Sequence, residues 1–327
     1  MDLPEGIFRI SIPNATNDFY VNAYTVRVSQ DRWILIDSGW GNEISFKELS
    51  LQLLKIGVGS NEVKDVLLTH THPDHIGNAT YFRNMNRAVV TCHQLDLSFM
   101  IRYHSYEKFV HLTRDWLRKH INSDEPSLAV LNEWNFSSKS IETATPSVLI
   151  RRKRQEIKIG GLQLIALHTP GHSPGHVCYF DPERGVLFSG DHILPGETPN
   201  ISLSFYYNQN PLKDYVDSLE TVTKLKGLKY ILPGHGEPFS NLQGILKRLT
   251  VHHERRLAEI LEATSQERTA WEVAHRVSWS RGKLGKLTPF QQRQALGETL
   301  AHLKYLEAEG KVSELMKKEL IKFIRKH

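Results

Sequence analysis

The segment Thr69-His70-Thr71-His72-Pro73-Asp74-His75 places three imidazoles and a carboxylate within six residues, directly after the apolar run VKDVLL. Such a density of titratable groups is costly to hold together without a ligand. Neutral imidazole and carboxylate are usual protein ligands of zinc, and alternate residues of an extended segment point the same way. His70 and His72 can therefore grip one ion together. Asp74 and His75 are then free to hold a second. Three further candidates stand at the ends of apolar runs: His172 in LIALHTPGHSPGH, Asp191 in VLFSGD and His235 in YILPGHG. Alone, a histidine after a strand reads as a hydrogen-bonded loop residue, and Ser-Gly-Asp as a turn. Four ligand-rich loops in one chain point instead to a metal centre. Spacing does not choose between His172 and His176 in GHSPGH. Asp37, in LIDSG, reads by itself as a capping or turn aspartate.

The elements that must position these residues follow from the surrounding pattern. FYVNAYTVRV and RWILID read as strands, being rich in β-branched and aromatic residues. EISFKELSLQLLKIG carries apolar residues near helical spacing and ends on glycine, so it reads as a helix. VKDVLLTH is a short buried strand that delivers its last residues to a sheet edge. Residues 94–145 are helix-prone and dense in aromatic residues and histidine, including Phe99, Tyr103, His104, Tyr106, Phe109, His111, Trp116, Trp134 and Phe136, and are expected to form an inserted helical cap. That cap could line an apolar pocket, form a core of its own or face a second copy of the chain. Strands resume in EIKIGGLQLIALHTPGH, with a hairpin at Gly160-Gly161, and continue through HVCYF and VLFSGD. A helix from about Leu212 to Leu225, the strand KYILPGH and a helix from about Leu242 to Ala263 complete two similar halves, packed sheet against sheet with helices outside. This predicts a catalytic domain over 1–263. Residues 264–327 read as a small helical domain, with Pro289 in the first turn of a helix closed by Gly310 and with MKKELIKFIRKH helical at the end.

Over roughly residues 7–250 the chain resembles the metallo-β-lactamase superfamily, whose HxHxDH signature and later His, Asp and His motifs match residues 70–75, 172, 191 and 235 in order. The resemblance implies an α/β fold, a four-layer αββα sandwich with the metals at one edge. It implies that His172 rather than His176 is the ligand, and that Asp37 steadies the site from behind the ligands. It places His70, His72 and His172 on one ion, Asp74, His75 and His235 on the other, and Asp191 between them. Two Zn2+ ions are expected, with Mn2+ or Fe2+ as the alternatives. A hydroxide bridging the two ions would be the nucleophile, with Asp74 orienting it and relaying a proton. Members that do redox chemistry at a di-iron centre carry glutamate where this chain has His72. Enzymes that open β-lactams commonly carry cysteine where it has Asp191, and they are exported. The pattern looks more like that of glyoxalase II, lactonases and the RNA-processing members, and the C-terminal segment resembles the winged helix appended to some members.

The expected reaction is hydrolysis of an ester, thioester or lactone of a small, partly apolar substrate. The alternative is endonucleolytic cleavage of single-stranded RNA, and a non-catalytic DNA-binding role is disfavoured by the intact ligand set. The loop LPGETPNISLSFYYNQN after Asp191 offers Asn200, Ser204, Tyr206 and Tyr207 as substrate-binding candidates, one of which could stabilise an oxyanion. Of the 327 residues 40% are apolar and 24% charged, the balance of an ordinary globular protein. The net charge of +5 lies entirely beyond residue 250, where 15 Lys and Arg face 10 Asp and Glu. The run Arg151-Arg152-Lys153-Arg154 reads as a solvated strand edge. No apolar stretch reaches the roughly 18 residues a membrane span needs, and no apolar leader opens the chain. Cys92 and Cys178 sit in apolar surroundings as reduced thiols. A cytoplasmic enzyme, with homodimerisation left open, is the expectation.

Overall fold

The computed structural model describes residues 1–14, 19–102, 106–121, 146–207, 209–280 and 282–326. The part of the expected cap at 122–145, with Trp134 and Phe136, lies outside these residues, as do Tyr103 and His104. By internal contacts the chain divides into two compact units. The described residues of Met1–His104, Ser137–Pro199 and Ser218–Ile245 form one, and those of Ser105–Phe136, Asn200–Asp217 and Leu246–His327 form the other.

The first unit holds two sheets. One runs in spatial order β1 (Ile7–Pro13), β2 (Tyr20–Ser29), β3 (Arg32–Ile36), β4 (Val63–Leu67), β5 (Val89–His93) and β6 (Val148–Ile150). Its first two pairings are antiparallel and the rest parallel. The other orders β11 (Tyr230–Pro233), β10 (Val186–Gly190), β9 (Val177–Asp181), β8 (Leu162–His168) and β7 (Arg154–Ile159), with β10 and β11 parallel. Successive side chains of a strand face opposite sides, and β3 shows both faces covered. Leu35 packs with Leu49 and Leu53 of α1 (Glu43–Lys55) and Phe82 of α3 (Ala79–Asn86). Ile34 and Ile36 pack instead against Leu164, Tyr179 and Phe188 of the second sheet. On the far side of that sheet, Leu167, Phe180 and Leu187 meet Val222 of α6 (Pro211–Thr223) and Leu242 and Ile245 of α7 (Leu242–Ala263). The layers are helix, sheet, sheet, helix, as expected. Burial on both faces explains why β9 and β10 read as near-continuous apolar runs rather than as alternating ones.

The described part of the expected cap is helical, as α4 (Gln94–Arg102) and α5 (Tyr106–Arg118). The second unit gathers Leu117, Ile260, Trp271, Leu296, Leu300, Leu303 and Phe323 into one core. Its α8 (Ala270–Ala274) and α9 (Pro289–Ala308) both begin with a capping box, at Thr269 and Thr288, and Pro289 stands at the first helical position. The last residues depart from the expected helix. Val312–Lys317 (β13) and Leu320–Arg325 (β14) form an antiparallel hairpin, which β12 (Arg268–Thr269) joins as a third strand. Lys and Glu favour a helix locally, but Ile321 and Phe323, two residues apart, share the face that reaches the core, and that packing decides. Among the described residues no helix is long and apolar enough to cross a membrane.

Candidate metal centre

β3 and β4 run parallel and end side by side, and the chemistry begins where they stop. At the end of β3, Asp37 adopts φ 58°, a region unusual for a non-glycine residue but one that aspartate tolerates. Its carboxylate is buried and accepts three hydrogen bonds. Thr69 N–H donates to Oδ1 at 2.8 Å, and Thr69 Oγ1–H and His75 Nδ1–H both donate to Oδ2 at 2.8 Å. Beyond β4 the chain bends at Thr69, is extended at His72 and then turns into the short helix α2 (Pro73–Ile76), which begins on proline. The helical turn puts Asp74 and His75 on a different footing from the two histidines before them.

The hydrogen-bond network assigns the tautomers. Thr69 gives its only hydroxyl proton to Asp37, so at the 3.0 Å contact with His70 it must accept from Nδ1–H. His75 donates its Nδ1–H to Asp37, and His235 donates its Nδ1–H to the Tyr20 carbonyl at 2.8 Å. Each of the three rings is thereby left with Nε2 turned towards a common centre. The buried Nε2 atoms of His70 and His75 and Oδ1 of Asp191 have no hydrogen-bond partner among the described residues.

Three overlapping groups could each hold a cation: His70, His72 and His172; His70, His75 and Asp191; and Asp74, His75 and His235. The separations carry the argument. His75 Nε2 lies 3.6 Å from Asp74 Oδ2 and 3.5 Å from Asp191 Oδ1, and His235 Nε2 lies 3.4 Å from Asp74 Oδ2 and 3.5 Å from Asp191 Oδ2. His172 Nε2 lies 3.5 Å from Asp191 Oδ2 and 3.0 Å from His72 Nδ1. The N···O spacings exceed the roughly 2.7–3.2 Å of an N–H···O bond. They match the edge of about 3.3–3.5 Å that ligands at 2.0–2.2 Å subtend in a tetrahedron around zinc. Asp191 reaches ligand atoms of both triads, those of His172 and of His235. The donor set and its unpartnered atoms fit the binding of divalent cations.

Electrostatics agree with the geometry. Burial first, and the neighbouring imidazoles after it, push His70 well below its ordinary pKa and His72 down to about 3. Burial alone would also lower His75 and His235, but the carboxylates of Asp191 and Asp74, with Asp37 for His75, prevail and raise them to about 9 and about 11. Burial raises Asp74, yet His75 and His235 hold it down near 2. Without a cation, protons on His75 and His235 balance the carboxylates, and a divalent ion must displace them.

The superfamily model described as Metallo-beta-lactamase superfamily matches residues 16–235. The chain belongs to the metallo-β-lactamase superfamily. It is 25% identical to the probable metallo-hydrolase YqjP of Bacillus subtilis over 93% of this chain and 92% of that one. It is 27% identical to the acyl-coenzyme A thioesterase MBLAC2 of Homo sapiens over 82% and 96%. The crystal structure of a metallo-β-lactamase family protein from Thermus thermophilus superposes with a TM-score of 0.80 at 29% identity, covering 98% of this chain and 99% of that one.

Within this superfamily member, the structure brings His70, His72, Asp74, His75, His172, Asp191 and His235 together in the first unit, with Asp37 directly behind His75. His176 stands differently from His172. Its Nδ1–H donates to Thr169 Oγ1 at 2.9 Å, and its Nε2 accepts from the Asp191 backbone N–H at 3.2 Å. Both of its nitrogens are thus engaged, one with Thr169 and one with the backbone at Asp191. Asn200, Ser204, Tyr206 and Tyr207 fall in the second unit. There Ser202 Oγ–H donates to Asn200, Tyr207 N–H donates to Ser204 Oγ, and the Tyr207 hydroxyl donates to Asp214.

Sequence reasoning missed Thr69, the relay between Asp37 and His70, because nothing distinguishes one threonine of THTH from the other. It also passed over Gly234, where a Cβ would stand 2.4 Å from Asp191 Oδ1 and 2.8 Å from His75 Cε1. Only a residue without a side chain lets β11 deliver His235 so close to Asp191 and His75. Phe19, half-exposed, lies against the His235 ring at 4.8 Å.

Proposed function

We propose that this metallo-hydrolase cleaves a thioester, ester or lactone of a small, partly apolar molecule, with an acyl-coenzyme A thioester as the leading substrate class. The observation that carries the reading is the convergence of imidazole nitrogens and carboxylate oxygens at 3.4–3.6 Å from one another, wider than hydrogen bonds and suited to a shared cation. The thioester is favoured because a thioesterase is among the relatives and is matched over nearly its whole length.

In this reading His70, His72 and His172 would hold one zinc ion, Asp74, His75 and His235 would hold the other, and Asp191 would serve both. Such ions supply Lewis acidity towards the carbonyl and lower the pKa of water to about 7. Asp37 keeps His75, and through Thr69 also His70, in the tautomer that offers Nε2. The side chain of Asp74 is 14% exposed against 8–9% for His172, His235 and Asp191, so it is the most open of these groups to an entering substrate. Its carboxylate takes a proton from the attacking water and returns one to the departing sulfur, while the acyl carbon–sulfur bond breaks and a free acid and a thiol leave.

A second reading, cleavage of single-stranded RNA, draws on the order of α8, α9 and the hairpin β13–β14, which is similar to that of a winged-helix module, and on Lys318 and Lys322 in that hairpin. Assay of the purified chain against acyl-coenzyme A thioesters, lactones and short RNAs tests both. Thiol release that a chelator abolishes and zinc restores is the expected result. Cleavage of RNA with inert thioesters would overturn the leading reading.

A further inference from the structure

Asp96 lies in the first turn of α4 and is 2% exposed, and its carboxylate accepts three hydrogen bonds from two distant loops. Thr71 N–H donates to Oδ2 at 3.1 Å, Ser173 Oγ–H to Oδ2 at 3.0 Å, and Gly175 N–H to Oδ1 at 2.6 Å. Thr71 is the residue between His70 and His72, and Ser173 directly follows His172. One carboxylate therefore ties together the two loops that supply all three histidines of one triad, in which His72 Nδ1 and His172 Nε2 stand 3.0 Å apart. The approach is close on both sides, since a Cβ at Gly175 would come within 2.5 Å of Asp96 Oδ1 and 2.6 Å of its backbone nitrogen. The other triad is held differently, with His75 on Asp37 and His235 on the Tyr20 carbonyl.

We infer that Asp96 is a positioning residue for the ion held by His70, His72 and His172, setting the separation of its two ligand loops while leaving the ion at Asp74, His75 and His235 untouched. This rests on the two-ion reading above. Ligand-orienting partners of this kind are worth roughly ten- to hundredfold in metal affinity. Asp96→Asn keeps the shape but turns one accepting oxygen into an amide that faces donors, so one loop loses its anchor. Ser173→Ala removes a single donor and leaves the backbone contacts in place.

The test titrates zinc against a competing chelator into metal-stripped full-length chains and reads two stepwise dissociation constants, with thermal unfolding followed on the same stripped samples. For Asp96→Asn one constant is expected to weaken by roughly ten- to hundredfold while the other stays within about threefold. In a His235→Ala background, where only the histidine triad is complete, the loss should persist and so be assigned to that triad. Ser173→Ala is expected to weaken the same constant several-fold with an unchanged unfolding midpoint, and it decides the matter alone if Asp96→Asn does not fold. Parental constants with a lowered midpoint, or equal weakening of both constants, would overturn the inference and leave Asp96 as a staple for α4. A parent that takes up fewer than two ions would instead refute the two-ion reading, whatever Asp96 does.

Discussion

The Nδ1–H of His75 meets Asp37 Oδ2 at 2.8 Å, on the same oxygen that receives the Thr69 hydroxyl. One buried carboxylate thereby orients two histidines, His75 directly and His70 through Thr69. Asp37→Asn should keep the backbone, because asparagine tolerates the φ of 58° found there. It should weaken zinc binding by roughly ten- to hundredfold, since an amide cannot accept from all three donors. Competition with a chelator measures this, and unchanged affinity would remove Asp37 from the account.

Asp74→Asn should leave the circular dichroism spectrum of the chain unchanged and lower kcat by a factor on the order of hundreds or more, since ligand charge and proton relay disappear together. Steady-state kinetics on an acyl-coenzyme A thioester that the parent hydrolyses would show it. A variant with near-parental kcat would show that Asp74 neither binds nor relays.

His172→Ala should lose an ion, whereas His176→Ala should retain both and show a smaller, indirect loss through the backbone at Asp191. Metal analysis of the two variants decides between them. The reverse order would mean that the ligand in GHSPGH is His176.

Metal uptake should depend steeply on pH. His75 and His235 are raised to about 9 and about 11 in the metal-free site, so near neutral pH both carry a proton that the ion displaces. Two protons lost per ion make affinity for that site rise about a hundredfold per pH unit between roughly pH 6 and 8. The metal-free fold has the opposite dependence over part of this range. A raised histidine pKa contributes stability that is fully present below the unfolded value near 6.5 and is lost as pH climbs through the folded value near 9. Chelated protein should therefore melt at a lower temperature at pH 9 than at pH 7, and zinc should remove the difference. A pH-independent zinc affinity would contradict the protonation scheme.

Salt separates RNA from a neutral ester or lactone, though not from an acyl-coenzyme A thioester, which carries phosphates of its own. Phosphate contacts made by a basic segment weaken as salt rises, and a neutral ester does not depend on them. Lys283→Ala with Lys286→Ala, at the loop before α9, should leave hydrolysis within about threefold of the parent; Arg281, their neighbour in that loop, lies outside the described residues. A tenfold or greater rise in KM for short RNA that low salt rescues, with thioester and lactone hydrolysis unchanged, would favour RNA.

The crowding of His70, His72, Asp74 and His75 was legible because four titratable groups stand together at the end of a strand. His172 was not legible from spacing, since GHSPGH presents two equivalent histidines, and only the partners of His176 tell them apart. Thr69 escaped notice because its role depends on an aspartate brought near by parallel strand pairing, and the bonds of Asp96 to loops 25 and 77 residues away are equally invisible along the chain. The hairpin β13–β14 was misread as a helix, because local propensity in MKKELIKFIRKH carries no information about the core that Ile321 and Phe323 enter.

Metal content tests the central claim most directly. Chain purified without chelator, shown to be folded by circular dichroism, should contain close to two zinc ions per polypeptide by elemental analysis, both removable by chelator and both regained on adding zinc. Folded chain that holds one ion or none, and takes up no second when zinc is supplied, would contradict it.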